Sequence, residues 1–97
     1  MLDTRLADDI TLRCDALADR IAATPIGKNA RALRVGLAEF DALERASLTP
    51  FALCKLRNAR HWLRLAYGDT LHAYPPARLR RILIEALAGI SEMARRA

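Results

Sequence analysis

Leu6, Ile10, Cys14, Leu17 and Ile21 follow one another at spacings of four, four, three and four residues. Only a helix brings that recurrence to one side, because a strand alternates its side chains and would scatter these five over both faces. The stripe predicts a helix of about five turns. Asp3 stands where an N-cap is wanted, and Asp8 and Asp9 favour the positive end of the macrodipole. Arg5 with Asp9 and Asp9 with Arg13 form i,i+4 pairs on the wet side, each worth about 0.3 kcal/mol.

Breaks then divide the rest of the chain into further segments of the same period. Ala23 to Asn29 holds Pro25, which lacks an amide donor, and Gly27, which tolerates positive φ. A second helix is expected from about Asn29 to Ala46, with Leu33, Leu37, Phe40 and Glu44 along one line and Ala30 and Leu43 beside it. Gly36 inside that helix costs about 1 kcal/mol relative to Ala, which a close helix contact would explain. Leu48-Thr49-Pro50 restarts the chain, Thr49 as N-cap and Pro50 as first helical residue. The third helix should reach about Tyr67 and end at Gly68-Asp69. Tyr74-Pro75-Pro76 forces another turn, and a fourth helix follows from about Ala77 to Arg95 with Leu79, Leu83, Ala86, Ile90 and Met93 inward. No strand pattern, repeat or low-complexity segment competes. The expectation is an all-α fold: one small domain over residues 1–97, of about four to five helices.

Length and charge limit what such a domain can do. Its 97 residues suffice for one modest core, and chains this short often gain buried surface by pairing with another subunit. Residues 1–24 carry five aspartates against three arginines, whereas residues 25–97 carry thirteen Lys/Arg against six Asp/Glu. Fourteen of the sixteen basic residues are arginine, whose planar fork suits phosphates and carboxylates alike. This balance permits binding to phosphate backbones or to acidic partners. The N-terminus MLDTRLADD is acidic where a secretory signal would be basic and then apolar, and no apolar run nears the ~18 residues of a membrane span. A cytoplasmic protein without membrane contact is expected. Cys14 and Cys54 lie far apart and outside any Cys-x-x-Cys spacing, so neither a metal site, a cofactor nor a disulfide framework is expected.

The basic residues fall into clusters. In KLRNARHWLR, Lys55 to Arg64, helical geometry puts Arg57, Arg60, His61 and Arg64 within about a third of the circumference. The ridge reads as a solvated face, a phosphate-contacting face or a contact for an acidic partner. Trp62 lies toward the apolar side and reads as an anchor in a core or interface. Arg78, Arg80 and Arg81 open the fourth helix, where positive charge opposes the macrodipole; Arg81 can pair with Glu85. Lys28, Arg31 and Arg34 repeat the arrangement at the second. An anion would justify such charges, since helix N-termini attract one; exposed arginines that cost too little to matter are the alternative. Enzyme chemistry finds little support: His61 and His72 lack ligand-spaced partners, Cys54 has no histidine at a distance that sequence supports as a base, and no Gly-rich phosphate loop exists.

In their order, several segments resemble the FlhD family, the smaller subunit of a bacterial flagellar master transcription regulator. Asp9-Ile10-Thr11-Leu12 and Leu17-Ala18-Asp19-Arg20-Ile21 are similar to an acidic-Ile-Asn-Leu and a Leu-Ala-Gln-Arg-Leu element of that family. Leu33-Arg34-Val35-Gly36-Leu37 resembles its Phe-Arg-Leu-Gly-Ile segment, with Glu39 and Ala42 fitting; Leu48-Thr49 and Lys55-Leu56 match a Leu-Thr and a Lys-Leu pair at the family's spacing, and Asp69 falls on an aspartate. The resemblance covers residues 9–69 and is ungapped from Lys28 onward; beyond it, Arg78-Leu79 matches an Arg-hydrophobic pair more loosely. The family's intersubunit cysteine falls on Arg64 here, so that cross-link does not carry over, and Cys54 would have to replace it.

The resemblance implies an intertwined helical homodimer, residues 1–69 forming its dimerisation portion and residues 70–97 a DNA- or partner-contact portion. It implies assembly with an FlhC-like regulator subunit, promoter DNA bound by the complex, and activation of flagellar genes with RNA polymerase, without catalysis. On this reading Leu33, Leu37, Phe40, Leu56 and Leu63 are core or dimer interface. Arg78, Arg80 and Arg81, with Arg57 and Arg60, are the candidates for phosphate contact. Two alternatives stand beside it: an interaction module that modulates a partner regulator without touching DNA, and a redox protein dependent on Cys54.

Overall fold

The computed structural model describes residues 4–46, 48–68 and 74–96. The sequence expectations at Asp3, Asp69 and His72 fall outside them. Four helices account for the described chain: α1 (Thr4–Ala23), α2 (Ala30–Arg45), α3 (Pro50–Tyr67) and α4 (Pro76–Arg96). No strand occurs among the described residues. The fold is all-α.

The helices begin where their capping residues demand. Asn29 Oδ1 accepts from the Ala32 N–H at 3.0 Å to open α2, and Thr49 Oγ1 accepts from the Ala52 N–H at 3.3 Å to open α3, each filling one of the donors a helix start leaves free. Pro50 occupies the first position of α3, where its missing N–H costs nothing. The break after α1 turns at Gly27, whose φ of 147° other residues rarely adopt. Its amide donates to Ala66 O and that of Asn29 to Tyr67 O, both at 2.9 Å, so the α1–α2 connection satisfies carbonyls left over at the end of α3. The Tyr67 hydroxyl donates to Thr24 O at 3.1 Å and completes the tie. These bonds place the ends of α1 and α3 together with the start of α2.

Packing follows an up-down-up-down order. Lys55, in the first half of α3, lies across Gly89, in the second half of α4, and Tyr67 at the end of α3 lies near Arg80 at the start of α4, so those two helices run antiparallel. α1 packs along α4, α4 along α3, and α3 against α2, whereas α1 and α2 touch least. The buried core takes Ile10, Cys14, Leu17 and Ile21 from α1, Phe40 and Leu43 from α2, Leu56, Leu63 and Tyr67 from α3, and Leu79, Leu83, Leu87 and Ile90 from α4. Four residues of the α1 stripe are thus buried as their spacing predicts, and the fifth, Leu6, is half-buried against the core.

α2 turns a different line inward. Gly36, Phe40 and Leu43 are buried, while Leu33 and Leu37 are only half-buried at the edge of the core. The cause is the close approach expected at Gly36: a Cβ there would stand 2.7 Å from Cδ2 of Leu63, so any larger residue would have to displace that buried side chain before α2 could seat its Gly36 side on α3. α4 likewise buries Leu87 and Ala94, leaving Ala86 and Met93 half-buried. Phe40, Leu56 and Leu63, expected as core or interface, lie inside the core of the chain; Leu33 and Leu37 keep exposed surface.

Two hydroxyls are buried at a cost. Thr11 Oγ1 and Ser91 Oγ are shielded from water and have no hydrogen-bond partner, and Ser91 is 2% exposed. An unmatched buried polar group costs about 1–3 kcal/mol. Ser91→Ala is therefore expected to stabilise the protein by about 1 kcal/mol, read as a higher urea midpoint at unchanged slope. A lower midpoint would show that the hydroxyl has a partner.

Burial also separates the two thiols. Cys14 is buried and Cys54 exposed. Removal from water, helped by the neighbouring Asp15 carboxylate, pushes the Cys14 thiol from its ordinary 9.0 up to about 12. The sign follows directly: below pH 9 both folded and unfolded chains keep this proton, and above it the unfolded chain loses the proton first. Stability should hold through neutral pH and fall as pH rises from 9 toward 12. In native protein at neutral pH one thiol, Cys54, should react with a thiol reagent at once, and Cys14 only as fast as the chain opens. Equal rates would contradict this placement.

Candidate nucleic-acid interface

The arginines singled out by sequence separate once their partners are known. Arg60 leans over α2. Its Nη2 sits 2.6 Å from Asp41 Oδ1 and 2.7 Å from Glu44 Oε2, and its side chain is only 17% exposed. That guanidinium is committed to fastening α3 to α2, with both carboxylates supplied by the outer side of α2. Arg57 and Arg64, on the same arc of α3, are exposed and make no ion pair among the described residues. The ridge is thus interrupted at Arg60 and open on either side of it.

The start of α4 is also divided. The helix opens at Pro76, so Arg78 lies in the first turn while Arg80 and Arg81 belong to the second. Arg78 stands over the Tyr74 ring, its guanidinium carbon 5.4 Å from the centroid, within cation–π range. Arg81 is exposed and forms no ion pair among the described residues; the expected bridge to Glu85 is not made. Arg80 is half-buried, and its Nε is shielded with no hydrogen-bond partner. Its charge reaches Tyr67, whose hydroxyl is raised by burial and partly drawn back down by Arg80. Arg80 therefore faces inward more than Arg78 and Arg81 do.

Aromatic rings join the α3 ridge to the start of α4. Trp62 meets Tyr74 edge to face at 5.1 Å between centroids, and His61 meets Trp62 at 5.7 Å. The resulting run, His61–Trp62–Tyr74–Arg78, crosses from one helix to the other. Trp62 is half-buried, in keeping with an anchor. Tyr74 was missed by sequence reasoning, which saw only its turn with Pro75 and Pro76; its ring reaches Trp62 across the chain connecting two helices, and no periodicity encodes that.

What the surface offers chemically is fixed positive charge with aromatic edges. Arg57, Arg64, Arg78 and Arg81 present planar donor forks to solvent, the geometry suited to phosphate oxygens. No group of three or more His, Cys, Asp or Glu residues that could hold a metal ion occurs among the described residues. None of the described helices is long and apolar enough to cross a membrane. No family model, curated protein or solved structure matches the chain.

Proposed function

We propose that this chain is a transcription-regulator subunit of the FlhD type, acting as a homodimer with an FlhC-like partner to bind promoter DNA and activate flagellar genes. The motif resemblance over residues 9–69 motivates the assignment. The observation that carries the DNA part is the aromatic run from His61 through Trp62 and Tyr74 to Arg78, which links the cationic ridge of α3 to the opening of α4. Phosphates would be met by Arg78 and Arg81, with Arg57 on α3 as a further candidate; Arg60 serves the α2–α3 contact instead. Such contacts position a complex on DNA without reading sequence, in keeping with a subunit that assists a partner in DNA engagement.

Apolar surface left outside the core supports the assembly. Leu33 and Leu37 remain partly exposed on α2, and Phe51 on α3 is 78% exposed. A small domain that leaves such residues wet gains from covering them. The test is a gel shift with flagellar promoter DNA, using the chain and an FlhC-like regulator separately and together. The mixture should bind more tightly than either alone. A complex that forms and fails to shift DNA would favour the interaction-module reading, in which the chain modulates its partner; absence of any complex would overturn both.

A further inference from the structure

Between the second half of α1 and the first half of α2 lies a cleft of about 200 Å³, floored by Leu63 and Tyr67 of α3. It lies along the seam where the bundle is least closed, since α1 and α2 touch less than any other neighbouring pair. Leu17, Ile21 and Val35 give it apolar walls, and Arg20 and Arg31 contribute to its lining from opposite sides. Both arginines are exposed, and neither makes an ion pair among the described residues. Glu39, farther along the seam, is taken by Arg13 at 3.6 Å. Two cations therefore flank an apolar hollow without a counter-charge.

We propose that this cleft binds a compact amphiphilic anion, an aromatic or short aliphatic carboxylate. Its apolar body would lie against Leu17, Ile21 and Val35 while its carboxylate accepts from Arg20 and Arg31, a pairing the guanidinium fork favours. Size sets the class. Drug-sized ligands occupy pockets of roughly 300–1,000 Å³, and an apolar cavity of about 150 Å³ accepts benzene. A space of about 200 Å³ thus suits one ring or a chain of comparable bulk. The anion would bridge α1 to α2 where they pack least. Because it would bind the folded chain alone, it would also raise the melting temperature.

The test is a titration of the isotope-labelled chain with benzoate or octanoate, followed by amide resonances and melting temperature. Benzyl alcohol supplies an apolar body without charge, and acetate supplies charge without the body. The carboxylates should saturably shift the amides of Leu17, Ile21, Val35 and Gly36 and raise the melting temperature. Benzyl alcohol and acetate should bind about tenfold or more weakly than benzoate, the weight of a lost charge-assisted contact. The doubly substituted R20Q/R31Q chain, changed only at exposed positions, should keep its spectrum and bind benzoate no better than benzyl alcohol. The proposal fails if neither carboxylate saturably shifts those amides, if benzyl alcohol or acetate matches benzoate, or if R20Q/R31Q leaves benzoate affinity unchanged. None of these outcomes involves promoter DNA or a second protein, so they are read independently of the regulator assignment.

Discussion

Phe40→Ala is expected to lower the free energy of unfolding by about 3–5 kcal/mol. Phe40 is completely buried and, with Leu43, supplies the large apolar side chains that α2 sets into the core. α2 rests chiefly on α3 and touches α1 little, so no second neighbour compensates for the hole. A domain of this size holds about 5–15 kcal/mol in all, and the loss removes a large part of it. Urea denaturation should show a much lower midpoint with an unchanged slope. Leu12→Ala is the matched control: that side chain is 68% exposed, and its loss should change stability by no more than about 0.5 kcal/mol. Equal costs at the two positions would mean that the packing of α2 has been misread.

Arg78→Ala combined with Arg81→Ala is expected to weaken promoter binding by the assembled complex roughly a hundredfold, two charge-assisted contacts being lost. The stronger sign lies in the salt dependence. Each phosphate neutralised on duplex DNA contributes about 0.9 to the slope of log affinity against log salt, so the doubly substituted chain should lose about two units. The loss should be similar on unrelated sequences, because backbone contacts carry no base information. Arg60→Ala separates this from a general loss of charge. Its guanidinium bridges Asp41 and Glu44, so it should leave the slope unchanged and lower stability instead. An unaltered slope in the Arg78/Arg81 pair would remove these residues from the DNA surface.

The helix ends were legible because they are written in local chemistry. Thr49-Pro50 and Gly27 act through their own side chains or backbone freedom, within a few residues of themselves, whereas the cap at Asn29 emerged only from the structure. The α1 stripe was legible because each of its members carries an apolar side chain to be counted. α2 misled for the opposite reason. Its point of closest approach is Gly36, which has no side chain to count, and the line through Leu33 and Leu37 outweighed it.

The candidate site was legible as charge and illegible as partnership. Arg57, Arg60 and Arg64 share one arc of α3, yet only Arg60 reaches Asp41 and Glu44, and that depends on how α2 is rotated against α3. Arg78 and Arg80 differ in the same way, one over the Tyr74 ring and the other turned toward Tyr67. The cleft beside Arg20 and Arg31 has no sequence signal at all, because it arises from the gap left between two helices.

The regulator reading rests on the chain working as part of an assembly, and mass tests that most directly. Light scattering should be run on the purified chain over a range of concentrations, alone and mixed with an FlhC-like regulator. A mass near twice 10.8 kDa alone, rising to a larger mixed species with the partner, is the predicted result. A well-folded chain that stays at 10.8 kDa at every concentration and leaves the partner's mass unchanged would contradict it.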